Sequence, residues 1–137
     1  MKGMVVNRLE WGAREPAKAF RRLAHHRVKG VVLHHSGVQD GPTGIAAVKA
    51  FEAYHMDNRK WDGIAYNWLV DPSGAVFEGR GGGWRGAATK GWNARSESVC
   101  YTGWGYEPVP AVALTAIQMV IDSVQFRYGG SLWVRGH

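Results

Sequence analysis

The sequence predicts an α/β fold, a central mixed β-sheet flanked by helices, on three observations. Val31-Val32-Leu33 is a β-branched and aliphatic run leading straight into His34-His35-Ser36-Gly37, the pattern of a covered strand that ends at a surface. Two segments carry apolar residues at helical spacing instead: Ile45, Val48, Phe51 and Tyr54, and later Leu114, Ile117, Ile121 and Val124. Between them, Asp71-Pro72-Ser73-Gly74 is a strong turn signal joining two short apolar runs. Strands and helices therefore alternate, which is the order that lays helices against a sheet.

In chain order, Met4-Val5-Val6 is a short extended lead-in, followed by Arg8 to Arg14. Pro16 suits the first turn of a helix that Ala17 to Ala24 continues for two turns. Lys29-Gly30 breaks the chain before the strand Val31 to Gly37. Thr43 is placed to cap the next helix, which is expected to end around His55 to Asn58. Trp61-Asp62-Gly63 turns the chain into a strand from Ile64 to Val70, and Ala75 to Glu78 is the return arm of a hairpin. Residues 79–97 are rich in glycine and aromatics and lack periodicity, so they are expected to form a long ordered loop; loops of that length in compact domains tend to be functional. A strand from Glu97 to Gly103, a helix from Ala111 to Arg127 and a strand from Ser131 to Arg135 complete the chain, which then reaches Gly136-His137.

A chain of 137 residues fits one domain, 1–137. At that size roughly two-thirds of the unfolded surface is buried on folding. One cysteine allows no intramolecular disulfide, and Cys100 in an alternating apolar stretch reads as a small buried hydrophobe. The net charge of +6 favours anionic partners: nucleic acid, an anionic membrane surface or a phosphate-rich cell wall. Only Arg21-Arg22 and Arg59-Lys60 are adjacent basic pairs, so no nucleic-acid stripe is expected. No stretch reaches transmembrane length, and the N-terminus lacks the pattern of a secretory signal peptide. The expectation is a monomer made in the cytoplasm without a signal peptide and not inserted in a membrane.

Neutral imidazole is the commonest metal ligand, and a catalytic zinc takes three protein ligands plus an open position. Successive strand residues point to opposite faces, so His34 and His35 cannot both serve one site; one of them is a candidate ligand, to be joined by His137 at the end of another strand. His55 follows a helical face and reads as a helix-end or core histidine. Gly81 to Gly86 formally matches G-x-G-x-x-G, but no helix opens after it, which excludes a dinucleotide site. Trp84 and Trp92, beside Arg80 and Arg85, either stack on a ligand or pin the loop.

Taken in order, several segments resemble the zinc N-acetylmuramoyl-L-alanine amidases, the family of peptidoglycan recognition proteins and phage lysozyme-type amidases. They are Arg8-Leu9-Glu10-Trp11-Gly12-Ala13-Arg14, Val32-Leu33-His34-His35-Ser36, Tyr54-His55-Met56, Trp61 through Val70, Gly74 through Gly81, Gly91-Trp92-Asn93 and Gly136-His137. The resemblance implies a peptidoglycan-recognition-protein-like fold and, as function, hydrolysis of the amide between N-acetylmuramic acid and L-alanine by zinc-activated water. It implies His34 and His137 as metal ligands and Tyr66 as the catalytic side chain beside the metal. It places substrate contacts at Asn67, Arg80, Trp84 and Asn93, with the muramyl peptide of peptidoglycan as partner and the bacterial wall as the place of action. In the family the third ligand follows several residues after the second histidine, so the metal-ligand tail is expected to be missing here. Ala88 stands where many relatives have a histidine. A phage origin and a non-catalytic module using the same groove are further expectations of the resemblance.

Overall fold

The computed structural model describes residues 4–137. In chain order it contains β1 (Val5–Val6), α1 (Arg8–Trp11), a 3-10 turn (His25–Arg27), β2 (Gly30–Gly37), α2 (Gly44–Ala53) continuing into a π-helical turn (Tyr54–Asn58), β3 (Trp68–Val70), β4 (Val76–Glu78), β5 (Ser96–Trp104), α3 (Ala111–Arg127) and β6 (Trp133–Gly136). The strands form a single sheet in the order β1-β4-β3-β5-β2-β6. Only β3 and β4 pair antiparallel, across the Asp71–Gly74 turn; the other neighbours run parallel, giving the expected mixed sheet.

The two faces of the sheet are covered by different helices. On one, Val31, Val99 and Tyr101 pack with Ala113, Ala116, Val120, Ile121 and Val124 of α3. On the other, Leu69, Phe77 and Cys100 pack with Val48 of α2, Trp11, Ile64 and Tyr66. Each fully buried aliphatic side chain contributes about 1.5–3 kcal/mol relative to exposure, so this alternation fixes the register of β2 and β5. It also decides where the histidines go. Val31 faces α3, so His34 emerges on the α2 side and His35 on the α3 side.

Three expectations are corrected, and one short helix is added to them. Residues 17–24 form no helix: Ala17 N–H donates to Asp62 O, Leu23 N–H donates to Gly83 O, and Arg22 bridges Trp84, so backbone bonds to distant segments replace the helical ladder. A short helix forms earlier, at Arg8–Trp11, because Asn7 and Glu10 make a reciprocal capping box and Gly12 closes it in the left-handed conformation at φ 78°. Thr43 sits at the start of α2 with extended backbone, but its hydroxyl makes no capping bond. The strand expected from Ile64 shrinks to Trp68–Val70, because Ala65 N–H is taken by the His55 ring and the carbonyls of Tyr66 and Asn67 accept from Arg80, Gly79 and Gly81.

Candidate active site

Register brings the two distant histidines together. In the parallel β2–β6 pair Leu33 lies opposite Gly136, and His137 N–H continues the ladder by donating to Leu33 O at 2.9 Å. His137 is thereby set beside His34, with ring centroids 4.8 Å apart. The Tyr66 ring stands 5.4 Å from that of His34. Its hydroxyl hydrogen-bonds Ser36, two residues along β2 on the same face. The His34 ring nitrogen Nε2 shares a 3.0 Å hydrogen bond with Thr89 Oγ1 from the glycine-rich loop.

The electrostatics suit neutral donors. Burial first, then the neighbouring His137 and His35, holds the His34 pKa at about 4, so its imidazole is uncharged at neutral pH. Burial raises the Tyr66 phenol well above its ordinary value, so this group keeps its proton and serves as a hydrogen-bond donor rather than a base. Cys100, beneath it, is pushed up to about 12 by burial, and remains the inert small hydrophobe the sequence suggested. His55 lies at 8% exposure. Its Nδ1 accepts the Ala65 N–H at 3.0 Å and its ring packs against Trp61 and Tyr66. It is a core histidine that fixes the segment entering Tyr66.

Two facing imidazoles are the donor chemistry that zinc takes. Among the described residues, no cluster of three or more His, Cys, Asp and Glu side chains forms around them or elsewhere. As donor chemistry the two imidazoles fit zinc, and they would supply two of the three protein ligands that a catalytic zinc takes.

Of the substrate-contact candidates, Arg80 and Asn93 border one cavity of about 340 Å³ together with Arg21, Lys60, Trp61, Asp62 and Arg85. Arg80 spends its Nε on Ile64 O and one further donor on Arg85 O, so only the remainder of its fork faces the cavity. Asn93 Oδ1 accepts the Thr89 N–H and so holds the residue that touches His34. The structure does not bring Asn67 to this cavity. It is fully buried, its amide nitrogen donates to the carbonyls of Gly81 and Trp84, and its oxygen accepts the Ser98 N–H, leaving nothing for a ligand. Trp84 is likewise turned away: its ring lies under the Arg22 guanidinium at 4.4 Å, outside the cavity lining. Sequence reasoning missed Ser36 and Thr89. Ser36 shares the parity of His34 on β2, a signal that was available; Thr89 lies in an aperiodic loop and offered none.

The family described as N-acetylmuramoyl-L-alanine amidase matches residues 24–137. Peptidoglycan-recognition protein SC2 of Drosophila simulans is 35% identical over 102 residues, covering 72% of this chain and 54% of that protein. The N-acetylmuramoyl-L-alanine amidase of Mus musculus is 30% identical over 128 residues, 89% of this chain and 24% of that protein. The chain thus spans about half of the first relative and a quarter of the second. Among solved structures, bumblebee peptidoglycan-recognition protein SA superposes with a TM-score of 0.82 at 27% identity, over 96% of this chain and 81% of that one. Peptidoglycan recognition protein LE, solved with tracheal cytotoxin, a monomeric diaminopimelic acid-type peptidoglycan, gives 0.88 at 26% identity, over 98% and 82%. The fold is that of the peptidoglycan recognition proteins, and the chain belongs to the N-acetylmuramoyl-L-alanine amidase family.

Proposed function

We propose that this chain is a peptidoglycan amidase domain that cleaves the amide between N-acetylmuramic acid and L-alanine in the bacterial cell wall. The observation that carries the reading is the convergence of His34, His137 and Tyr66 on one face of the sheet. His34 and His137 would hold zinc, which when bound polarises a carbonyl and acidifies water. Tyr66 is the catalytic side chain in this reading. Its protonated phenol, steadied by Ser36, donates to the oxygen on which charge develops as the amide carbon becomes tetrahedral. Thr89 and Asn93 position the His34 ring. The cavity lined by Arg80 and Asn93 takes the stem peptide, whose carboxylates the unspent guanidinium donors match. The chain works as a single monomeric domain.

The test is release of free stem peptide from purified muropeptide, measured with zinc present and after chelation. Zinc-dependent release supports the reading; no release at any zinc concentration ends it. A second reading is favoured by the same two-histidine donor set: a module that binds the muropeptide without hydrolysing it. It predicts saturable muropeptide binding with no zinc requirement and no product.

A further inference from the structure

Away from the histidines, the segment of residues 21–23 runs antiparallel to residues 83–85. Leu23 N–H donates to Gly83 O at 2.9 Å, Arg85 N–H donates to Arg21 O at 2.7 Å, and Arg22 bridges Trp84 between them. This pairing fixes Arg21 next to Arg85, and like charges held across such a pair are unfavourable unless an anion joins them. Arg27, at the end of the 3-10 turn, adds a further guanidinium to the same cavity of about 140 Å³, which Arg21, Arg22, Leu23, Ala24, Arg85 and Ala94 also line. The ion pairs among the described residues, Arg8 with Glu52 and Arg14 with Asp57, involve none of these arginines. The Arg22 plane is pre-set by its stacking on Trp84. Arg21 and Arg85 also border the larger cavity, where Lys60 and Arg80 continue the positive lining and Asp62 is its one carboxylate.

Clustered guanidinium groups without carboxylate partners, one of them pre-set by its stack on an indole, match phosphate oxygens in charge and geometry. A single phosphate would engage part of the cluster; four guanidinium groups, of Arg21, Arg22, Arg27 and Arg85, spread around one cavity suit a chain with repeating phosphodiesters. We propose that residues 21–27 and 85 form a second binding site, for a polyol-phosphate chain carried on the cell wall. The choice of a wall polymer rests on the amidase-family reading above, since such a chain would hang beside the glycan whose stem peptide enters the adjoining cavity. The site would hold the domain on phosphate-bearing wall while the histidine face works on the peptide.

The probe is soluble poly(glycerol phosphate), titrated into the whole chain at several salt concentrations, with muropeptide binding measured in parallel. Saturable binding that weakens as salt rises is expected. Arg22→Gln with Arg27→Gln should weaken it by roughly tenfold or more, as loss of charge-assisted contacts would, while muropeptide binding stays within about twofold. Lys18→Gln with Lys49→Gln removes the same charge elsewhere and should leave polymer binding intact. Arg27→Gln alone, clear of the Trp84 stack, gives a partial loss even if the double variant folds poorly. Equal losses in the lysine control would overturn the site in favour of net charge. Unchanged binding in the arginine variants, or markedly tighter binding of single-stranded DNA of equal phosphate number, would overturn it too. Because the polymer titration needs neither zinc nor hydrolysis, its failure leaves the amidase reading standing, and a chain without amidase activity can still show the site.

Discussion

At the scale of single residues, the protonation of the buried side chains separates roles that the sequence leaves together. Tyr66 keeps its proton because burial disfavours the phenolate, so Tyr66→Phe removes one donor while leaving the ring against His34 and His55. Stem-peptide release should fall on the order of 100-fold, with the melting temperature nearly unchanged. A Tyr66→Phe chain that hydrolyses as well as the parent would remove the phenol from the mechanism. Asn67 is the opposite case. Asn67→Ala leaves the Ser98 N–H and the carbonyls of Gly81 and Trp84 without partners in a dry interior, a cost of about 2–4 kcal/mol in chemical denaturation. His55 gives a pH signature. Its pKa is depressed from 6.5 to about 4, by burial first and then by Arg80 and Arg59, and its Nδ1 must be unprotonated to accept the Ala65 N–H. A depressed folded value means that the unfolded chain binds the proton more tightly. The stability linked to His55 is therefore complete above pH 6.5 and lost as pH falls through about 4. His34 titrates over the same interval, so the informative quantity is the difference between the parent and His55→Asn, which keeps an acceptor in place. That variant should start less stable at pH 7 and show a flatter fall towards pH 4; parallel curves would exclude His55 as a contributor.

At the scale of elements, the loop of residues 79–95 is held by a buried carboxylate. Glu97, fully enclosed at the start of β5, accepts from Trp68 Nε1 at 3.0 Å, Gly83 N–H at 2.8 Å and Tyr128 Oη at 2.6 Å. One side chain thus ties the loop to a central strand and to the end of α3. Glu97→Ala leaves three neutral donors unpaired and should cost at least about 1–3 kcal/mol, the range for one such buried group. The same loop carries Thr89 and Asn93, so zinc affinity should drop with loop order, and limited proteolysis should cut within residues 79–95 first. Cleavage elsewhere first would deny Glu97 that anchoring role. This element also marks the boundary of what the sequence makes legible. α2 and α3 announce themselves by apolar period, because each must bury one face, and β2 and β5 by short apolar runs, because both faces of the sheet are covered there. Residues 17–24 and 64–67 do not, because their backbone groups are satisfied by partners remote in sequence, Asp62, Gly83 and the hairpin that follows Tyr66. The polar residues of that stretch look equally available on paper; only the hydrogen-bond partners separate Asn67, spent on the loop, from Asn93 at the cavity.

At the scale of the whole molecule, the two histidines couple the candidate site to the integrity of the sheet. β6 is an edge strand whose sheet neighbour is β2 alone, and its residues beyond Trp133 are exposed. A zinc ion shared by His34 and His137 would clip that edge to β2 at the end of the ladder, next to the Leu33–His137 backbone bond. Since unfolding separates the two imidazoles, zinc held by them would bind the folded chain preferentially and stabilise it by RT ln(1 + [Zn]/Kd), about 2.7 kcal/mol at a hundredfold excess over Kd. For a domain of this size that corresponds to a rise of several degrees in Tm, growing with the logarithm of zinc concentration. Chelation should return the parent to its starting Tm, and His137→Ala should be insensitive to zinc while keeping nearly the parent's Tm without it, because residue 137 is exposed. Hydrogen exchange adds a local readout: amides of β6 should gain protection with zinc before those of α3 do, since only the former lie in the clipped edge. A zinc-dependent rise that persists in the His34→Ala, His137→Ala double variant would place the metal elsewhere on the molecule. No rise in the parent, with muropeptide binding retained, would leave the sheet edge unclipped and select the binding module over the hydrolase.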